Sequence, residues 1–282
     1  MGCGFSSEEG GGHCLYCFRE SQPRNHERRH RRHRRHRRQH QEEEEHEMEI
    51  GGPTDISIHI PRNRADEHGV PIQQVTREVD RKDLKSALSI MARYLHEKNA
   101  QLTVIAVGGA VNTIFLRTRE STHDVDIFGS NLSNQDRVLL DDAMHYTQQQ
   151  RTGLLGTDWF NTENQMWMTT DLHRELTNEA VQQNDVVFEE AGLKVLAAPW
   201  EYGFSGKISR LMKGGEQVRA YDLADAVHYL DLYIRKHGGR PVRVATVEEW
   251  AKRFRHTTSR EYLLDKVNKE YRAQYGRDGI IN

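Results

Sequence analysis

Leu102-Thr103-Val104-Ile105-Ala106-Val107 runs into Gly108-Gly109, then into Ala110-Val111-Asn112-Thr113-Ile114-Phe115-Leu116, and Thr122-His123-Asp124-Val125-Asp126-Ile127-Phe128 follows. This stretch decides the fold. The first apolar run predicts a buried strand, the glycine pair a tight turn, and the second apolar run a helix that starts at once. Residues 122–128 predict another strand. Side chains alternate along a strand, so Asp124 and Asp126 share one face while Val125 and Ile127 enter the core. Two carboxylates about 7 Å apart on a rigid strand can hold a hard divalent cation such as Mg²⁺. A glycine turn without side chains lets phosphate approach backbone N–H groups at a helix N-terminus. Metal ligands beside a phosphate cradle are the equipment for phosphoryl or nucleotidyl transfer.

The flanks read as a mixed α/β core followed by helices. Leu84, Ala87, Leu88, Met91, Tyr94 and Leu95 recur at helical spacing, which predicts an amphipathic helix over 83–95. Residues 134–150 predict a second helix, with Val138, Leu139 and Met144 turned inward. Val186–Glu189 and Leu193–Leu196 predict a β-hairpin around Ala191-Gly192. Beyond Pro199 the spacing is helical over about 201–213, 218–236, 246–255 and 259–273. Thr246 with Glu249, and Thr258 with Glu261, fit capping boxes. Residues 51–80 read as a linker or an edge strand through Ile56, Ile58 and Ile60. The expected division is therefore a tail over 1–80, a catalytic-type α/β domain over 81–240 and C-terminal helices over 241–282.

Composition supports this division. The 282 residues hold 40 Lys and Arg against 42 Asp and Glu, a net charge of −2, and 36% are hydrophobic. That balance argues against a wholly basic nucleic-acid coat. No run approaches the roughly 20 apolar residues of a membrane span, and 3 Cys exclude a disulfide-dense secreted domain. Residues 1–50 contain ten Arg and ten Glu, eight of the Arg in an Arg/His block at 28–38 and six of the Glu in a block at 42–49. Such blocks predict a disordered tract.

The first residues, Met1-Gly2-Cys3-Gly4-Phe5-Ser6-Ser7, fit the motif for N-myristoylation of Gly2. Cys3 beside it is a candidate for a second, thioester-linked palmitoyl chain. One myristoyl chain holds only marginally, and stable anchoring takes a second signal. Cys3 and the Arg block both offer one, because basic residues are drawn to an anionic leaflet. The expected partner is an anionic membrane surface on the cytosolic side; nucleic acid on the Arg block is the weaker alternative. Cys14 and Cys17 form a C-x-x-C without a second ligand pair, short of a zinc set. No apolar leader core follows the start, so a cytoplasmic compartment is expected.

The order strand, Gly108-Gly109, helix, Asp124-x-Asp126 resembles the nucleotidyltransferase superfamily with the polymerase-β-like fold. Its signature is an apolar strand, G[GS], then acid–apolar–acid–apolar. Tyr202-Gly203-Phe204-Ser205-Gly206-Lys207, then Arg219-Ala220-Tyr221-Asp222-Leu223-Ala224-Asp225, is similar to the K…(K/R)D-x-x-D helical pattern of small bacterial and antitoxin-type members. The run from Val107 through Asp126 is similar to fungal members of the group. The resemblance covers roughly residues 84–235. It implies an α/β nucleotidyltransferase-like fold and transfer of a nucleotide from an NTP to a hydroxyl acceptor. Asp124 and Asp126 would be catalytic and hold Mg²⁺, Gly108 and Gly109 would cradle the triphosphate, and Lys207 would reach a phosphate. Active members place a third carboxylate on a later strand, as base or further metal ligand. Glu189, with Asp185 just before it, is the candidate; Asp158 and Glu163 lie in the loop 152–165. Asp222 and Asp225, three apart on a helix, read as organisers of Arg219 and Lys207. Trp159, Trp167, Trp200 and Trp250 read as core or rim residues. A relative without a third acid at the metals would bind nucleotide, or serve as a lipid-anchored scaffold, without turning it over.

Overall fold

Apolar residues at the spacing of one helix face make the first long element. α1 (Arg81–Glu97) buries Leu84, Ala87, Leu88, Met91, Ala92 and Leu95. It starts directly after the short strand β1 (Val79–Asp80). The Asp80 carboxylate caps it by accepting the Asp83 N–H at 2.8 Å. The computed structural model describes residues 73, 75–162, 165, 168–215 and 218–282. All of them belong to one unit, Ile56–Asn282. Gly2, Cys3, Cys14, Cys17, the Arg and Glu blocks, Ile56–Ile60, Glu163 and Trp167 lie outside the described residues.

The apolar run Leu102–Val107, broken only by Thr103, is β2, the central strand, with Val104, Ile105 and Ala106 fully buried. Its neighbours are β4 (Val125–Phe128) and β7 (Leu193–Ala197), and the outer strands are β5 (Phe160–Asn161) and β6 (Val186–Glu190). The order is β5-β4-β2-β7-β6. β2 runs antiparallel to β4 and parallel to β7, β4 is parallel to β5, and β6 closes an antiparallel hairpin with β7. The sheet is thus mixed. The strand expected over 122–128 is interrupted at 123–124. Its first part, β3 (Ser121–Thr122), pairs instead with β1, Val79 opposite Thr122. That ladder fixes the segment leading into the acid pair.

Helices flank the sheet. The π-helical α2 (Val111–Leu116) follows the glycine turn. α3 (Asn134–Gln150) starts at a capping box of Ser133 and Asp136 and packs on α1. Its inward residues are Leu140, Ala143, Met144 and Thr147, whereas Val138 points to solvent. α4 (Thr170–Gln183), absent from the sequence expectation, packs on β7 through a face whose buried residues are Leu176, Thr177 and Ala180. So little apolar surface gives a weak periodic signal.

α5 (Trp200–Lys213) and α6 (Asp222–Lys236) pack closely together, and α7 (Val244–Phe254) packs on α5. β8 (Val242–Arg243) pairs in parallel with β9 (Ile280–Ile281). Between α7 and β9 lie α8 (Arg260–Tyr262), a π-helical turn (Leu263–Val267) and α9 (Asn268–Tyr275). The Tyr271 hydroxyl of α9 donates to Asp231 of α6 at 2.8 Å, so the last helices join the same core. Neither expected capping box forms. α7 begins straight off β8 with Arg243 at its cap position, which places Thr246 inside the helix. α8 is capped by Ser259, whose hydroxyl accepts the Tyr262 N–H at 3.3 Å, one residue past Thr258. Among the described residues no helix is long and apolar enough to cross a membrane.

Candidate functional site

The site is built where β2 ends. Gly108 has φ +68°, a left-handed conformation that favours glycine. A Cβ on Gly109 would lie 2.1 Å from Thr122 Oγ1, so the backbone there tolerates no side chain. A Cβ on Gly108 would lie 3.8 Å from Asp126 Oδ2. The turn and the second carboxylate therefore face one another, because Val107 and Asp126 are partners across the antiparallel β2–β4 ladder. The Gly108 carbonyl accepts the Asn112 N–H at 3.3 Å and leads into the wider, π-helical winding of α2. π-helical segments often mark functional sites.

Asp124 and Asp126 are both half-buried, and Val125 and Ile127 between and after them are fully buried. Within β4 Asp126 alternates with the buried Val125 and Ile127, whereas Asp124, expected on the same strand face, lies just ahead of the strand in the interruption at 123–124. Across the parallel β4–β5 ladder Asp126 is in register with Asn161, which is buried. The Asn161 amide donates to the Asp158 carbonyl at 3.3 Å. Burial, reinforced by the charge of Asp126, pushes the Tyr202 hydroxyl up to about 12. Among the described residues no group of three or more His, Cys, Asp or Glu gathers as a metal site. The donor set is the Asp126 carboxylate beside the glycine turn and the Asp124 carboxylate two residues before it. Mg²⁺ commonly takes one or two carboxylates and completes its shell with water and substrate phosphates, so these residues fit it.

Behind the turn lies a buried ion cluster. Lys207 of α5 places Nζ 2.6 Å from Asp222 Oδ1 and 2.9 Å from Asp225 Oδ2. Its side chain is only 6% exposed. Burial pushes the Asp222 carboxyl up, but the Lys207 ammonium, the Arg219 N–H and Arg210 outweigh it and hold the group below its ordinary range. Asp225 also accepts from Asn112 Nδ2 at 2.6 Å and pairs with Arg119. The Tyr229 hydroxyl donates to Asn112 Oδ1 and lies 3.3 Å from the Gly108 carbonyl. A hydrogen-bonded path thus ties α5 and α6 to the glycine turn. It confirms the organising role of Asp222 and Asp225 for Lys207, and it occupies the ammonium expected at a phosphate.

Residues 77–278 match a family model described as a domain of unknown function (DUF7582). The match covers more than two-thirds of the chain and includes the turn, the acid pair and the ion cluster. The chain belongs to the DUF7582 family. Neither curated proteins nor solved structures gave a match. The DUF7582 match runs past residue 240 through the last helices and leaves out Gly2, Cys3 and the charged blocks.

Within the DUF7582 domain, several expected residues lie away from the turn. Glu189 sits on the edge strand β6, three strand steps from β4. At about 4.8 Å per step that is roughly 14 Å from the acid pair. Its exposed carboxylate lies 3.5 Å from Lys194 on β7, so it is placed as a surface ion-pair partner, not as a base for the site. Asp185 anchors α5 and α6 to the sheet, accepting from Trp200 Nε1 at 2.8 Å and from Lys236 Nζ at 2.6 Å. Asp158 stands just before β5. His123 is exposed, 2.9 Å from Glu78. Trp159, Trp200 and Trp250 are buried core residues. Two neighbours of the site were not foreseen. Asn161 lies on a strand of two residues, which leaves no periodic signal. Arg119 gave only its place five residues before Asp124.

Proposed function

We propose that the DUF7582 domain of this chain is a magnesium-dependent nucleoside triphosphate site of the nucleotidyltransferase type. It would serve transfer of a nucleotide from the triphosphate to a hydroxyl acceptor. The observation that carries the reading is the Gly108 turn, at φ +68°, packed so closely against β4 that a Cβ on Gly108 would lie 3.8 Å from the Asp126 carboxylate. Asp124 and Asp126 would hold Mg²⁺, which when bound neutralises phosphate charge. Gly108 and Gly109 would form the phosphate cradle, Gly108 by its left-handed turn and Gly109 by letting Thr122 and Arg119 pack against the backbone there. Lys207 holds Asp222 and Asp225 together behind the turn and keeps it rigid.

One observation favours a second reading, binding without transfer. The residue in register with Asp126 on β5 is Asn161, a neutral amide that accepts no proton from an attacking hydroxyl. The two readings separate in a transfer screen with radiolabelled NTPs, followed by intact-mass measurement of the chain and of candidate acceptors. Mg²⁺-dependent label transfer that Asp126→Asn abolishes supports the enzyme. Tight binding with no transfer to any acceptor supports the silent relative.

The N-terminus carries a separate part of the proposal. Acylated Gly2 and Cys3 with the Arg block would hold the domain at an anionic cytosolic membrane face. Gly2→Ala is expected to release the protein from membranes; unchanged membrane association in that variant contradicts the tether.

A further inference from the structure

We propose that Arg119 is a phosphate-binding residue of this site, held ready for a triphosphate by Asp225 and Tyr221. The inference rests on the nucleotide-site reading and adds a cation that neither the sequence resemblance nor the acid pair supplies.

Arg119 is nearly buried, with 11% of its side chain exposed. A guanidinium carries five N–H donors in a planar fork. Nη2 donates to Asp225. Nη1 lies 3.6 Å from where a Cβ on Gly109 would stand, so that edge of the fork lies against the glycine turn. Nε is buried and has no hydrogen-bond partner among the described residues. A buried unpaired donor on a cation is costly and calls for an explanation.

Neutralising Asp225 does not explain it. Asp225 already receives Lys207 at 2.9 Å and Asn112 at 2.6 Å. Lys207, Arg119 and Arg210 together meet two carboxylates, Asp222 and Asp225. The extra positive charge is that of Arg210, which is 45% exposed and 3.6 Å from Asp222; Arg119 is the member beside the turn, and its pairing with Asp225 leaves Nε without a partner among the described residues. Its orientation is also fixed: Cζ lies 3.6 Å from the centroid of the Tyr221 ring, a cation–π stack that holds the guanidinium plane. Planar forks with free donors match phosphate oxygens bidentately. Asp225 and Tyr221 would thus act as positioning residues, and Arg119 would touch the ligand.

The test uses the full chain with inorganic tripolyphosphate plus Mg²⁺, and with Mg·ATP and Mg·GTP, measured by calorimetry. Arg119→Lys keeps a cation beside Asp225 but loses the fork. It is expected to weaken Mg·tripolyphosphate binding at least tenfold while remaining folded by circular dichroism. As a second readout on the wild-type chain, the ¹⁵N-detected Arg119 Nε–H resonance, assigned by its loss in Arg119→Lys, is expected to shift on adding the probe. Unchanged affinity in Arg119→Lys, or an unmoved Nε–H resonance at saturation, overturns the role of Arg119. If Asp126→Asn still abolishes binding in that case, the nucleotide site itself stands. Failure of the wild-type chain to bind any of the three probes overturns both.

Discussion

Asn161 stands in register with Asp126 across the parallel β4–β5 ladder, buried beside the strand that carries the acid pair. In the proposed metal site a carboxylate there would add a third hard ligand, where Asn161 carries a neutral amide. Asn161→Asp is expected to raise the apparent Mg²⁺ or Mn²⁺ affinity of the nucleotide complex about tenfold, since such affinity follows ligand charge and orientation. Metal titration at fixed ATP measures it. Unchanged metal dependence would place the Asn161 side chain outside the metal's reach.

Lys207 is the keystone of the cluster between α5 and α6. Lys207→Met leaves Asp222 and Asp225 buried with one ammonium fewer. Breaking such a pair costs about 3–5 kcal/mol, so a fall in Tm of roughly 10 °C is expected for a domain of this size. Adding Asp222→Asn should recover part of that loss. A Tm within about 2 °C of wild type would show that the cluster contributes little net stability.

The two turn glycines are expected to fail differently. Gly109→Ala drives a Cβ onto Thr122 Oγ1 at 2.1 Å, an overpacking expected to cost about 1–3 kcal/mol and to be partly relieved by Thr122→Ala. Gly108→Ala meets Asp126 only at 3.8 Å. Its cost comes from φ +68°, about 1–2 kcal/mol, and its added methyl narrows the approach to the carboxylate. Urea unfolding should therefore register both variants, with Thr122→Ala rescuing only Gly109→Ala, while nucleotide binding should fall more in Gly108→Ala.

Acid sensitivity has a named source. Burial, with a contribution from Lys213, pulls His256 from its ordinary 6.5 down to about 4. Its Nδ1 lies 3.0 Å from Ser205 Oγ, and its ring packs against Tyr202 and Phe254. Between those two pH values the unfolded chain binds the proton and the folded chain does not. Stability from this group is complete above about pH 6.5 and declines as pH falls toward 4. The loss is roughly 3 kcal/mol at full effect. His256→Gln should flatten the stability curve across that window, as read by urea unfolding at several pH values. An unaltered slope would contradict the assignment.

Local signals made the central elements legible. Leu102–Val107 had a mostly apolar run, Asn134–Gln150 a long polar-faced helix, and 186–197 a hairpin with Gly192 at its turn, and these lie where expected. The Gly108–Gly109 turn followed from glycine, and the core-facing Val125 and Ile127 on either side of Asp126 followed from strand alternation; the break that puts Asp124 ahead of β4 did not. What escaped depended on pairing between distant segments. β5 has only two residues and exists because Phe160 and Asn161 add to β4. Glu189 looked available until the sheet order put it at the far edge. Arg119 and Asp225 are 106 residues apart, and no local pattern announces such a contact.

The most direct test of the central claim is calorimetric titration of the full chain with Mg·ATP and Mg·GTP, with and without Mg²⁺, for wild type and for Asp124→Asn/Asp126→Asn. The account predicts saturable binding of a nucleotide by wild type that needs Mg²⁺ and is lost in the double variant while Tm is kept. Equal binding by both proteins, or none by the wild type, would contradict it.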